Sequence, residues 1–397
     1  MSFQVPEHVQ PIRAAVQTFV EEKVYPVEPI LEQRGSSEAR EVMARLMSEA
    51  KEAGLWALGH PKEIGGQGMP FLDYVYINEV IGRSTPAMVA LGTHSLQDSI
   101  MLNEFASEQW RDQYLKPLVD GEVFPSFGMT EPDVGSSDPT QLQTAAVLEA
   151  GQWVINGRKW FTSGADVAAY TTIMCRTEFD VPDHDAFSMI VVPTHTPGYE
   201  IVREPRVMGH HGGHCEIALR DVRVPESNLL GPRGAGFKIA QRRLGPGRIF
   251  HCMRWLGQAQ RAFDLMCDRA NNRVTFGKTL GQHQQIQKFV FDSLCEIQGS
   301  RMLTLAAAHK IDQGDEARVE IGMIKVVGAQ MLHNVIDRAI QVFGAKGVTD
   351  DTPLERMYRE ARSARIYDGP DEVHVMTTAR RVLKSYQIGD GWDFGMR

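Results

Sequence analysis

The chain has 397 residues, 43% of them hydrophobic and 23% charged, with a formal net charge of −8. These values fit a soluble globular protein of two or three structural units. Without a basic block they exclude a nucleic-acid-binding surface, and no apolar run is long enough to span a bilayer. The start, MSFQVPEHVQ, has no basic segment followed by an apolar one, so no secretory signal is expected. Five cysteines (Cys175, Cys215, Cys252, Cys267, Cys295) are scattered without C-x-x-C spacing. They point to a reducing, cytoplasmic compartment and away from disulfides or a zinc site.

Residues 1–123 read as an N-terminal all-α domain. Ile12, Val16, Phe19 and Val20 recur at helical spacing, as do Val42, Leu46, Ala50 and Leu55, and Gly65-Gly66-Gln67-Gly68 breaks the pattern with a loop. Residues 124–232 read as a middle β domain, with strand-like runs at Tyr170–Met174, Phe187–Val192 and Glu216–Val224. An Asn156-Gly157 pair between Trp153-Val154-Ile155 and Lys159-Trp160-Phe161 predicts a hairpin turn. Residues 233–397 read as a C-terminal α-helical bundle. Its apolar stripes are Ile249, Met253, Leu256, Ala259, Phe263; then Ile286, Phe289, Val290, Leu294, Ile297; then Ile321, Ile324, Val327, Met331, Val335, Ile340. The fold class is α+β, mostly α.

Two motifs in the middle segment carry chemistry. Phe124–Asp138 (FPSFGMTEPDVGSSD) is rich in turns, hydroxyls and free N–H groups, which suits anionic groups and the polar edge of a flat heterocycle. Trp153–Gly164 (WVINGRKWFTSG) places Trp160, a broad aromatic plate, near Thr162, a compact hydroxyl donor. Either alone also fits an ordinary hairpin with a buried Trp. Together they resemble the TEP-x-x-G-S-D loop and K-x-W-I-T-N-G strand of the acyl-CoA dehydrogenase family, with one extra serine (Ser136 or Ser137) in the loop. The resemblance covers essentially the whole chain. It implies an N-terminal all-α domain, a β-barrel-like middle domain and a C-terminal four-helix bundle, with FAD as cofactor. Met129, Thr130, Ser136, Ser137, Trp160 and Thr162 are then its expected flavin contacts.

Further on, Arg273-Val274-Thr275-Phe276-Gly277 followed by Gln284 resembles the family's R-x-x-F-G-x(7)-Q run. The resemblance implies that Arg273, Phe276 and Gln284 reach the FAD of a neighbouring subunit, and hence a homodimer or homotetramer. A guanidinium there matches a pyrophosphate in bidentate fashion. Gln341-Val342-Phe343-Gly344-Ala345-Lys346-Gly347 resembles Q-x-x-G-G-x-G, with Ala345 where the family has its second glycine; Gln341, Gly344 and Ala345 are the expected contacts to the ADP moiety. Tyr367-Asp368-Gly369-Pro370 stands where many members have Y-E-G-T, and Asp368 follows Gln341 by 27 residues, the family's own interval. The resemblance makes Asp368 the base that removes the α-proton of an acyl-CoA, with Tyr367 and Gly369 beside the substrate. Another branch places its base at a position that is Gly247 here, and glycine cannot abstract a proton.

Arg248, His251 and Trp255 share one helix face. A cation and an imidazole at an acyl site suit a polar or anionic substituent; alternatively, Arg248 holds the catalytic carboxylate and His251 is a core residue. His210-His211-Gly212-Gly213-His214 lacks a carboxylate arranged with it, and no metal is expected. The runs LGPGRIFHCMR and DGPDEVH resemble the branch whose eukaryotic members are fused to a phosphotransferase-like domain and act on 4-hydroxyacyl chains. Three functions are therefore carried forward. The first is FAD-dependent α,β-dehydrogenation of an acyl-CoA, passing electrons to electron-transferring flavoprotein. The second is loss of phosphate from a 4-phosphoacyl-CoA supplied by a separate 4-hydroxyacyl-CoA kinase. The third is a non-catalytic scaffold that keeps the fold.

Overall fold

Runs of β-branched and aromatic residues between 125 and 230 build one sheet, and the amphipathic segments on either side of it build helices. The computed structural model describes residues 4–393, with only the backbone course of 244–246; residues 1–3 of the expected N-terminal domain and the side chains of Gly245-Pro246 lie outside the described residues. The chain divides into two units. One comprises Met1–Glu28, Pro70–Met88 and Gly245–Arg397, and the other Pro29–Met69 and Val89–Leu244.

The second unit holds helices α1 (Ser37–Glu52) and α2 (Leu96–Phe105) and an eight-stranded sheet. Its strands are β1 (Pro125–Gly128), β2 (Ala145–Glu149), β3 (Gln152–Ser163), β4 (Tyr170–Arg176), β5 (Phe187–Pro193), β6 (Tyr199–Arg203), β7 (His214–Pro225) and β8 (Leu229–Leu230). Their order is β6-β7-β3-β2-β4-β5-β8, with β1 parallel to β4. Strands β4 and β5 are buried at almost every position and read as continuous apolar runs, as expected of strands covered on both faces. Trp153, Ile155, Ile173, Ile190, Val192, Ile217, Leu219 and Val222 form the core of the sheet.

The expected hairpin at Asn156-Gly157 is not formed. β3 runs straight through it as a twelve-residue strand paired with β2 on one side and β7 on the other. Asn156 instead serves a bulge in the neighbouring strand, where Asp221 adopts φ +49. Asp221 N–H donates to Asn156 Oδ1 at 2.9 Å, and Asn156 Nδ2 donates to Asp221 Oδ1 at 3.0 Å. Gly157 is needed because a Cβ there would lie 2.7 Å from Thr144 Cα. A second bulge lies further along β3. Lys159 pairs with Ile217 and Thr162 with Cys215, so β3 carries one extra residue, and Phe161 adopts φ +49.

The first unit is helical. It contains α3 (Phe71–Ile81), the part of α4 (Gly236–Asn272) from Gly245 onward, α5 (Gln284–Asp312), α6 (Arg318–Phe343), α7 (Leu354–Ser363) and α8 (Asp371–Gln387). A two-stranded ribbon, β9 (Val274–Thr275) with β10 (Lys278–Thr279), follows α4. Of the first stripe, Ile249, Met253, Leu256 and Ala259 are fully buried and Phe263 is half-buried. In the other stripes Ile297, Ile321, Ile324, Met331 and Val335 are buried, Leu294 and Val327 are 45% and 39% exposed, and the rest are half-buried.

Glycines decide how closely α3 and α4 cross. A Cβ on Gly257 would sit 1.9 Å from Glu79 O, and one on Gly82 2.2 Å from Arg254 Cα. Gly257→Ala is expected to destabilise the protein by about 1–3 kcal/mol through overpacking, read as a lower thermal midpoint. Gly299→Ala, in open space on α5, is expected to leave the midpoint unchanged or raise it.

Candidate active site

In the sheet unit, the segment after β1 and the end of β3 are fastened together by a buried ion pair. Lys159 is fully buried; its Nζ donates to Glu131 Oε1 at 2.8 Å and to Met129 O at 2.9 Å. Glu131 also accepts the N–H of Gln143 at 2.7 Å and of Thr144 at 2.9 Å. Burial pushes the Glu131 carboxyl up, but Lys159 and these donors outweigh it and hold it below the usual carboxylate range; burial pushes the Lys159 ammonium down. Trp160 N–H donates to Thr130 O at 3.0 Å, so the loop follows the strand. Within the loop, Ser136 Oγ accepts from Glu131 N–H at 3.0 Å, which commits that hydroxyl to the turn, while Ser137 is exposed. Ser136 thus shapes the loop and Ser137 faces outward.

The bulge at Phe161 leaves two polar atoms unsatisfied. Trp160 Nε1 and Thr162 Oγ1 are buried and have no hydrogen-bond partner among the described residues. Thr162 is fully buried, and leaving such groups unpaired costs roughly 1–3 kcal/mol each. An aromatic plate and an orphaned hydroxyl on one strand end, beside Met129-Thr130, fit a flat heterocycle with polar edge atoms. The residues present therefore fit the FAD that the family resemblance implies.

In the helical unit, Asp368 sits in the turn between α7 and α8, at φ +55, followed by Gly369 at φ +99. Asp tolerates this left-handed region better than most residues. The backbone carbonyls of the turn are held by cationic and imidazole side chains. Lys325, fully buried on α6, donates to Ala364 O at 2.7 Å and Gly369 O at 3.4 Å. His374 Nε2 lies 3.1 Å and Arg248 Nη2 3.4 Å from Asp368 O. The carboxylate itself meets His251, with Nε2 at 3.0 Å from Oδ2. Arg248 thus holds the backbone of the turn, and His251 the carboxylate. Trp255 Nε1 donates to Tyr367 OH at 2.8 Å, and Lys325 Nζ lies 5.1 Å from the centroids of both rings. Burial lowers the pKa of Arg248, Arg254, Lys325, His251 and His374. Burial pushes the Cys252 thiol up to about 12, so it is no nucleophile at neutral pH.

The remaining expected contacts lie elsewhere in the same unit. Phe276 and Gly277, at φ +48 and +78, form the tip of the β9–β10 ribbon, and Phe276 is 95% exposed. Arg273 and Gln284 are exposed beside it. Gln341, Gly344 and Ala345 are exposed where α6 ends. Arg269 lies 5.3 Å from the Phe343 ring, which puts the ends of α4 and α6 at one end of the bundle. Among the described residues His210, His211 and His214 do not form a metal-ligating group. His214 Nδ1 pairs with Ser163 Oγ at 2.7 Å, and His211 pairs with Glu204 at 3.3 Å.

Sequence reasoning missed Glu131, Lys159, Arg254, Lys325 and His374 as parts of these clusters. Lys325 carried a usable signal: it lies four residues after Ile321, on a helix face that is otherwise apolar.

The chain matches the acyl-CoA dehydrogenase N-terminal domain over residues 6–122, the middle domain over 126–222 and the C-terminal domain over 234–383. It is 45% identical over 351 residues to the probable acyl-CoA dehydrogenase FadE2 of Mycobacterium tuberculosis, covering 86% of each chain. It is 39% identical over 394 residues to acyl-CoA dehydrogenase family member 11 of Rattus norvegicus, covering 94% of this chain and 50% of that one. The fold matches butyryl-CoA dehydrogenase of Megasphaera elsdenii with a TM-score of 0.85 at 27% identity, over 96% of this chain and all of the other. The chain belongs to the acyl-CoA dehydrogenase family. It spans about half the length of its family member 11 relative. Among the described residues no helix is long and apolar enough to cross a membrane.

Thr162→Val removes the orphaned hydroxyl at constant shape. In flavin-free protein it is expected to raise the thermal midpoint, by the equivalent of about 1–3 kcal/mol. A fall of that size would assign the hydroxyl a structural partner instead.

Proposed function

We propose that the chain is an FAD-dependent dehydrogenase of acyl-CoA thioesters in which Asp368 removes the α-proton. The observation that carries this reading is the Asp368 turn. Its backbone is held by Lys325, His374 and Arg248, while the carboxylate is presented on His251 and remains 24% exposed. A base must be ionised, oriented and within reach of the proton it takes. Tyr367 and Gly369 flank it and line the substrate. When bound, FAD supplies the acceptor for the β-hydrogen, which leaves as hydride. Thr162 and Thr130 would bond the polar edge of the flavin, Trp160 would pack on its ring, and Met129 and the Ser136-Ser137 turn would complete the contact. Arg273, Phe276, Gln284, Gln341, Gly344 and Ala345 serve the cofactor of a neighbouring subunit, so the working form is a homodimer or homotetramer. A 95% exposed phenylalanine on a ribbon tip supports such a contact. Segments 1–123, 124–232 and 233–397 are the domains of this reading, and electron-transferring flavoprotein is its acceptor.

One observation favours the second reading, a 4-phosphoacyl-CoA substrate made by a separate kinase. Arg248, Arg254 and Lys325 gather around a single carboxylate, and none forms an ion pair with another carboxylate among the described residues. Arg248 Nε is buried with no hydrogen-bond partner. A phosphate near the γ-carbon would satisfy this surplus of donors.

The purified protein is expected to be yellow, to hold about one FAD per subunit by the family resemblance and to be oligomeric by light scattering. A stable monomer that keeps its flavin would contradict the assembly. Asp368→Asn is expected to retain FAD and lose α-proton exchange and flavin reduction by at least about a hundredfold; near-normal turnover would remove Asp368 as the base.

Anaerobic flavin bleaching with acyl-CoAs of equal length separates the two substrates. Arg248→Gln is expected to weaken a 4-phosphoacyl-CoA far more than the unsubstituted chain if phosphate is received there. Equal losses would leave the plain dehydrogenase.

A further inference from the structure

On α4, Arg254 has a role that the base assignment leaves open. Its Nη2 lies 2.9 Å from His251 Nδ1, and His251 Nε2 lies 3.0 Å from Asp368 Oδ2. The three side chains form a line, Arg254 to His251 to Asp368, and Arg254 makes no ion pair with a carboxylate among the described residues. A guanidinium carries only donors and keeps its protons in proteins. The contact at Nδ1 is therefore a hydrogen bond only when Nδ1 holds a lone pair. The single proton of the ring then sits on Nε2, where it is donated to Asp368. We propose that Arg254 is a positioning residue that locks His251 in its neutral Nε2–H tautomer, and that this imidazole in turn orients the Asp368 carboxylate and keeps it a competent base.

The proposal rests on Asp368 being the base. The charged and titratable groups around His251 come from every side. Arg248, Cys252 and Arg254 lie on its own helix, Lys325 on α6, Tyr367 and Asp368 on the turn, and His374 on α8, while Tyr74 of α3 faces Arg254. Burial and the Arg254 charge lower the His251 pKa, against the pull of Asp368. A second proton on the ring would add a cation to this group and break the bond to Arg254. The opposite tautomer would aim a lone pair at a carboxylate. During proton abstraction the α-proton passes from the substrate carbon to an Asp368 oxygen. His251 keeps its Nε2 proton and Arg254 keeps all of its own, so neither is a proton carrier. The lock prevents an imidazolium–carboxylate pair. An opposite charge at this range stabilises the ionised carboxylate, and Asp368 would become a weaker base.

The test uses the full-length flavoprotein with histidine-selective 15N labelling, the His251 signals being assigned by difference with His251→Asn. Wild type is expected to show a bare Nδ1 and a protonated Nε2 from about pH 6 to 9, a span that brackets the ordinary imidazole pKa. Arg254→Lys, which keeps a charged donor, is expected to preserve this pattern at least in part. In Arg254→Leu the pKa of the ring is expected to rise, because the Arg254 charge that lowers it is gone while burial and the pull of Asp368 remain. Its α-proton exchange then gains an acid limb absent from wild type, losing roughly tenfold as the ring becomes charged. A protonated Nδ1 in wild type would overturn the lock, even if Arg254→Leu does not fold. So would a folded Arg254→Leu with an unchanged tautomer and an unchanged pH profile. Wild-type exchange by Asp368→Asn would remove the base assignment instead, leaving the tautomer measurement to decide the Arg254–His251 half.

Discussion

One ammonium group sealed from water organises the sheet unit. Lys159 is out of contact with solvent, and a buried ion pair is tolerated only where its geometry and remaining hydrogen bonds are complete. Here they are: the ammonium holds Glu131 and the Met129 carbonyl, and the carboxylate closes on the N–H groups of Gln143 and Thr144. Three stretches of chain (the loop after β1, the approach to β2 and the end of β3) are thereby tied to one point. Trp160 and Thr162 follow immediately after Lys159, so their placement is a consequence of that knot. The bulge at Phe161 then sets which of the two side chains is buried.

The helical unit uses a buried lysine differently. Lys325 has no carboxylate within ion-pair range among the described residues. It holds two backbone carbonyls of the Asp368 turn and lies over the Trp255 and Tyr367 rings. Carbonyl dipoles and aromatic faces stabilise the cation without consuming the acidic side chain. Spending a carboxylate to neutralise Lys325 would have tied up the very group that the turn displays. The left-handed backbone at Asp368 is retained because three side chains secure it from outside.

Much of this was legible from residue order. The helical, sheet and helical succession follows from a change in periodicity, and the Trp160-Thr162 and Asp368 motifs are local. The Asn156-Gly157 turn misled because the same two residues suit a bulge. Asparagine caps the distorted partner strand and glycine clears Thr144, and only the partner strands decide between the two uses. Leu294 and Val327 belong to regular apolar stripes yet stay exposed, because periodicity states that a face is apolar and not what covers it. Arg254 was invisible for a related reason: on a helix a basic side chain looks like any solvated charge, and only its distance to His251 shows its role. Lys325 stood out as a cation on an apolar face, but the carbonyls it holds lie 39 and 44 residues further on.

The crossing of α3 and α4 has a mechanical consequence. Ordinary helix pairs are separated by a layer of side chains that can slide or repack. At Gly82 and Gly257 that layer is missing, and backbone rests on backbone. Such a joint has little compliance: a shift of α3 bears directly on the Arg254 main chain. Distortions arriving through α3 are therefore felt at the imidazole and the carboxylate beyond it, whereas the same distortion on a conventionally packed helix would be absorbed by rotamer changes.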